Sequence, residues 1–284
     1  EHRLRAQVNA SDLEALQRRA AALSETEGRP DNALELYCAS ADWDAAARVI
    51  LAAAPTLLAQ GRWKTLRDWV GALPAEYVPR HPWLLYGLGS ARMQEDRKAA
   101  RDIFIEAFDG FAASGVAVGQ MLCAAAVIRT YHFEYNTFEP MDRWVAEIDR
   151  LLETGPQFPT AAAQLAVWSA LLLAFTYRLP GHRLRAAAIE RVTHLLDADI
   201  DANQKVPAGF ALILHHTMSH EMARARPVIE RIGPLLDAPE LTALNRVNWC
   251  LFIGYHHHRT GDRSAAEQAL DQSDRIAAEH GLRQ

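Results

Sequence analysis

The sequence predicts an all-α protein, a superhelical array of helix hairpins, and three observations predict it. Apolar residues recur at three- and four-residue spacings along nearly all of the 284 residues, in segments rich in Ala, Leu, Arg, Glu and Gln. Alternating β-branched runs of the kind that make strands are almost absent. Turn signals cut these segments into helices of roughly 10 to 20 residues, the ordinary globular range. A small residue followed four positions later by a bulky apolar one, and three later by another small one, recurs as Ala46-Ile50-Ala53 and Ala100-Phe104-Ala107. A less regular copy is Ala266-Leu270-Ser273.

Taken in chain order, the breaks fall at Glu27 to Pro30, Ser40 to Asp42, Gln60 to Arg62, Leu73-Pro74 and Arg80 to Pro82. They continue at Ser114-Gly115, Gly155-Pro156, Leu179 to Gly181, Asp199 to Asn203, Asp237 to Glu240 and Gly261-Asp262. Glycine reaches left-handed conformations and proline lacks the amide hydrogen, so each cluster ends or starts a helix. Short Ala-rich helix-turn-helix units fill Ser11 to Leu73. Five hairpins follow over roughly 81 to 113, 117 to 152, 159 to 197, 203 to 236 and 241 to 280, near the repeat length of about 34 to 47 residues of helical solenoids. Gly254 precedes Ala266 by twelve residues, and Leu88-Gly89 precedes Ala100 by one fewer. That spacing resembles the helix A to helix B offset of a tetratricopeptide repeat, in which small residues let two helices approach and a bulky one fills the gap. Pro207 and Pro227 blur the register of the fourth hairpin. Residues 1–80 are expected to form a helical arm and 81–284 the tetratricopeptide-like repeats.

Composition narrows the function classes. The formal charge of -5 leaves no basic excess for nucleic acid or anionic lipid. Cys38, Cys123 and Cys250 are far apart, with no CxxC spacing, which argues against a disulfide framework and a thiolate zinc site and suits a reducing cytoplasm. No apolar run approaches the ~18 residues a membrane helix needs, and no signal peptide is expected. The chain begins at Glu1 within a helical pattern, as an excised piece of a larger protein would.

The N-terminal third carries a family resemblance. His2-Arg3-Leu4-Arg5, Arg18 to Ala21, Gly28 to Ala33, Ala41-Asp42-Trp43-Asp44-Ala45-Ala46, Gly61-Arg62, Trp69 to Pro74 and His81-Pro82-Trp83-Leu84 resemble the linker helices and first sensor repeats of MalT-like regulators. These are STAND-type, LuxR-related ATPases that activate bacterial transcription. The resemblance covers nearly the whole chain and departs at Trp69-Val70-Gly71, which lacks a second bulky residue after Trp. It implies a sensor arm whose partners are a small-molecule or peptide effector and the other domains of the regulator, with self-association left open. ATP belongs to a missing upstream domain, and no cofactor is implied in this segment. No GxxxxGK[ST] is present, since Gly115 and Gly119 are followed by Gln120-Met121. Nor is there a basic recognition helix to contact nucleic acid directly.

Enzymatic chemistry finds little footing. No GxSxG elbow occurs, Ser169 and Ser219 lie inside helical patterns, and the acid pairs Asp142/Glu147 and Asp149/Glu153 read as solvated faces beside Arg143 and Arg150. The chain is therefore expected to be no enzyme. His256, His257 and His258 diverge by about 100° each on a helix and cannot converge on one ion. His216 and His220 have the one-turn spacing of paired zinc ligands, with His256, His258 or Glu221 as a third, though a groove or surface histidine is the commoner role.

A binding groove is the stronger expectation, because the first helix of each hairpin lines the concave wall of such a superhelix. With Gly254 as register mark, Asn248, Leu251, Tyr255 and His258 face the groove and His257 packs towards helix B. The second hairpin contributes Arg129, His132 and Tyr135 among Tyr131, Phe133 and Glu134; the third contributes Trp168 and Tyr177 beside Thr176 and Arg178; His215 completes the wall from the fourth. Aromatic walls with a few cations suit a ligand with an apolar body and an anionic or hydrogen-bonding group. The alternative is a repeat scaffold that binds a partner protein and senses no small ligand.

Overall fold

The computed structural model describes residues 10–282, so His2-Arg3-Leu4-Arg5 lie outside the described residues. Among those residues there are fourteen α-helices, two 3-10 turns and no strand. None of the helices is long and apolar enough to cross a membrane. Two compact units divide at Ser114, one hairpin later than the boundary at residue 80 that the sequence suggests.

The first unit holds α1 (Ala10–Thr26), α2 (Pro30–Ala39), α3 (Trp43–Ala59), α4 (Trp63–Gly71), α5 (Pro82–Arg92) and α6 (Arg97–Ala113). Each packs on the next in sequence, and α5 also packs on α3. Local chemistry sets the ends. Asp42 caps α3 by accepting from the Ala45 amide, after Ala41 turns the chain through a left-handed conformation. Asp96 caps α6 in the same way through the Ala99 amide. The Ala41-Asp42-Trp43 motif is thus a helix connection, and Trp43 packs against a core of Leu34, Ile50, Leu57, Leu66 and Leu84. Gly89 of α5 meets the ring of Phe104 on α6, so a Cβ there would come within 2.7 Å of it.

The second unit holds α7 (Ala117–Glu134), α8 (Met141–Glu153), α9 (Ala161–Tyr177), α10 (Arg185–Leu195), α11 (Ala202–Met218), α12 (Met222–Ile232), α13 (Ala243–Thr260) and α14 (Arg263–Glu279). Helices α7, α9, α11 and α13 pack side by side in that order, and each lies against the helix that follows it in sequence. This is the array of hairpins the punctuation predicts, with an inner layer of first helices and an outer layer of second helices. The layers differ in burial for a reason visible in sequence. Helix α8 buries one stripe, Met141, Trp144, Val145, Ile148 and Leu151. Helices α7, α9 and α11 are buried on all faces, over Gly119 to Ile128, Val167 to Phe175 and Ala208 to Thr217. An Ala- and Leu-rich helix with no charged residue in its middle can be enclosed in this way without burying charges.

Pro207 continues α11 without breaking it. It has no amide hydrogen to give the carbonyl of Asn203 one turn earlier. The side chain of Asn245 on α13 donates to that carbonyl instead at 3.3 Å, and to the Asn203 side-chain oxygen at 2.9 Å. Asn203 also accepts from the Thr242 amide at 2.8 Å and donates to the Glu240 carbonyl at 2.8 Å. The proline that obscures the repeat in sequence is thus where two hairpins are joined.

Candidate functional site

Aromatic side chains converge where the C-terminal ends of α7 and α9 meet the middles of α11 and α13. His132 lies in the last turn of α7, is 1% exposed, and is ringed by Phe133 (5.0 Å between centroids), Tyr177 of α9 (5.5 Å) and Phe210 of α11 (5.7 Å). Tyr135 and Phe252 of α13 complete the ring at 6.4 Å each. Phe210 and Phe252 stack on one another, and Phe138, in the loop after α7, stacks on Tyr177 at 4.4 Å. The imidazole Nδ1 of His132 is buried with no hydrogen-bond partner, and burial pushes its pKa down to about 4. It is therefore a neutral ring at physiological pH, able to accept or to give one hydrogen bond.

Tyr135 caps α7 in the left-handed conformation, at φ 52° and ψ 31°, where glycine or asparagine is usual. An aromatic residue there carries strain on the order of 1 kcal/mol. Its ring is 65% exposed and meets Tyr177 and Phe138 edge-on at 5.8 and 5.4 Å. The two phenol oxygens lie 3.3 Å apart. Burial drives the Tyr177 phenol pKa upward, helped by Tyr135 and by the nearby Tyr255 of α13, so Tyr177 stays protonated. Arg129, three residues before His132 and so on the same face of α7, has a buried Nε without a hydrogen-bond partner.

Of the residues singled out in sequence, the structure brings His132, Tyr135, Tyr177 and Tyr255 together with Arg129 one turn away. Asn248 is half-buried one turn before Phe252 on α13, and His258 is exposed in the last turn of that helix. Trp168 is buried midway along α9, its indole nitrogen unpartnered, away from the helix ends. His215 is 1% exposed and bonds through Nδ1 to the Thr176 hydroxyl at 2.8 Å, which ties α11 to α9. In the histidine triplet the buried member is His256, not His257, and its Nδ1 lies 2.8 Å from the Thr217 hydroxyl of α11. Gly254 faces α14, where Leu270 and the Ala266 carbonyl approach it. A residue two positions on points about 200° away, back towards α11.

The one-turn spacing of His216 and His220 does not put them on one helix face. Helix α11 ends at Met218, and His220 turns the chain in a left-handed conformation. His216 Nδ1 is 3.1 Å from Glu221. No grouping of three metal-ligating side chains exists among the described residues.

Sequence reasoning missed Phe138, Phe210 and Phe252. The last two are aromatic residues on first helices of their hairpins, the signal already used for Tyr177, and Phe252 sits one position beyond the Leu251 that the register mark selects. No protein-family model matches the chain, and no curated protein matches it either.

Proposed function

We propose that this chain is a non-enzymatic sensing segment of a MalT-like transcription regulator, and that it binds a small-molecule effector where the C-terminal ends of α7 and α9 meet the middles of α11 and α13. The observation that carries the reading is the convergence of rings from all four inner helices on a buried histidine whose Nδ1 has no hydrogen-bond partner. An enclosed aromatic cluster with a few hydrogen-bonding groups suits a small ligand better than an extended peptide. On the resemblance, effector binding shifts a cytoplasmic regulator between resting and ATP-bound, self-assembling states, the nucleotide being held by an upstream domain. A ligand does this only through different affinities for the two states.

The alternative, a scaffold for a partner protein, draws on a separate feature. A depression of about 500 Å³ lies along the last hairpin, lined by Leu236, Arg246, Cys250, Gln272, Ile276 and Glu279. Its mixed polar and apolar lining suits a peptide. A thermal-shift screen of metabolites, followed by Arg129→Ala and Tyr255→Ala, separates the two readings. Hits weakened by either substitution support the effector site. Hits indifferent to both move the site elsewhere, and an absence of hits together with a peptide held by Arg246 favours the scaffold.

A further inference from the structure

We propose that Tyr135 is a gate, and that the space it closes beside His132 and Tyr177 binds a small aromatic molecule carrying a hydroxyl group. The inference rests on the effector-site reading and names the ligand class for it. Two observations that have no structural explanation by themselves meet at this point. A buried imidazole nitrogen normally finds a partner, yet Nδ1 of His132 has none although five rings enclose it. A bulky residue normally avoids the left-handed region, yet Tyr135 occupies it while remaining 65% exposed, so little burial compensates the strain.

What the strained backbone secures is the place of the ring. The Tyr135 phenol lies edge-on to Tyr177 and Phe138 and within 3.3 Å of the Tyr177 hydroxyl. It thus acts as a placeholder. Once Tyr135 swings into solvent, a free phenol can take over the edge contacts and the Tyr177 hydrogen bond and, not tethered to the end of α7, can shift its hydroxyl towards the His132 nitrogen that the Tyr135 hydroxyl does not reach. The ligand hydroxyl both donates and accepts, so it can serve His132 whichever ring nitrogen carries the proton. A ligand with only acceptor atoms could not serve a bare lone pair there. The Tyr177 phenol, kept protonated by burial, supplies a donor to the same hydroxyl.

The test titrates phenol into the full chain and follows the His132 ring resonances by NMR, in the wild type, Tyr135→Gly and Tyr135→Phe. Glycine suits the left-handed cap and removes the competing ring, so the open state no longer has to be selected before binding. The expected result is saturable movement of the His132 resonances in the wild type, with affinity for phenol about tenfold higher in Tyr135→Gly. Tyr135→Phe, which keeps the ring and loses the hydroxyl contact, is expected between the two. Resonances of His132 that phenol leaves unmoved in the wild type and in Tyr135→Gly overturn the proposal. So does equal affinity in the two proteins. Metabolite hits that respond to Arg129→Ala but not to Tyr135→Gly overturn the gate and leave the effector site standing. Phenol binding that depends on Tyr135 supports the gate even where the metabolite screen is empty.

Discussion

The Thr217 hydroxyl lies 2.8 Å from Nδ1 of His256, and Thr176 stands in the same relation to His215, so two successive helix contacts of the inner layer carry the same rung. The Thr176 hydroxyl gives its one proton to the Leu172 carbonyl at 2.7 Å, so it accepts from Nδ1–H of His215. The imidazole is thereby fixed in one tautomer, with a buried, unpartnered Nε2. Thr217 is 0% exposed. Thr217→Val keeps its shape and leaves the His256 nitrogen unpaired, which is expected to cost about 1–3 kcal/mol in urea unfolding, with Thr217→Ser costing less. A loss below about 0.5 kcal/mol would show that the rung is not made in solution.

Acid is expected to destabilise the second unit well above the pH at which carboxylates titrate. Burial holds His132 and His215 down to about 4, against an ordinary value of 6.5, and lowers His216 and His256 as well. The folded rings stay neutral while the unfolded chain takes up protons below pH 6.5. Their contribution is therefore full above 6.5 and is lost as pH falls towards 4, by about 3 kcal/mol for a ring shifted that far. The urea midpoint should be flat above about pH 7.5 and fall steadily below 6.5. His132→Phe, which suits the aromatic surroundings, should reduce that slope. An unchanged slope would mean that His132 titrates normally.

Much of the helix pattern was legible because it is written locally. Gly28, Gly61, Gly115, Gly155 and Gly261 all adopt positive φ at helix ends, where the sequence put turns. Gly254 and Leu270 were legible as a pair, since twelve and four residues separate them from Ala266 on helices joined by a short turn. The site was legible only in part. Nothing local relates His132 to Phe210 and Phe252, which come from the fourth and fifth hairpins, and helices buried on all faces offer no stripe by which to orient them. The triplet shows the same limit, because a register error of one residue turns a helix by about 100° and exchanges His256 for His257.

Two glycines that sit between paired helices should respond oppositely to alanine. Each substitution gains about 1 kcal/mol of helix propensity. At Gly209 the new Cβ would stand 2.6 Å from Ile232, which is 0% exposed and cannot yield. Gly209→Ala is therefore expected to lose about 1–3 kcal/mol net. At Gly254 the nearest atom is 3.3 Å away on Leu270, which is 44% exposed and free to shift. Gly254→Ala should be neutral or slightly stabilising. Thermal or urea unfolding of both variants checks the contrast, and equal losses would mean that the two helix pairs are equally rigid.

Thiol labelling gives an independent readout of the inner layer. Cys123 is fully buried in α7 and Cys250 nearly so in α13, whereas Cys38 is half-buried. Burial pushes all three thiols above their ordinary value, which leaves little thiolate at neutral pH. An aromatic disulfide reagent is expected to reach Cys38 first, and Cys123 only when α7 opens. Labelling of Cys123 then measures the open population of the inner layer without denaturant. If the Thr217–His256 rung stabilises that layer, Thr217→Val should speed Cys123 labelling roughly 5- to 150-fold, the factor equivalent to about 1–3 kcal/mol. Unfolding of the layer by urea and labelling of Cys123 must then report the same loss. A variant that is less stable in urea but labels at the wild-type rate would place the rung outside the opening that exposes α7.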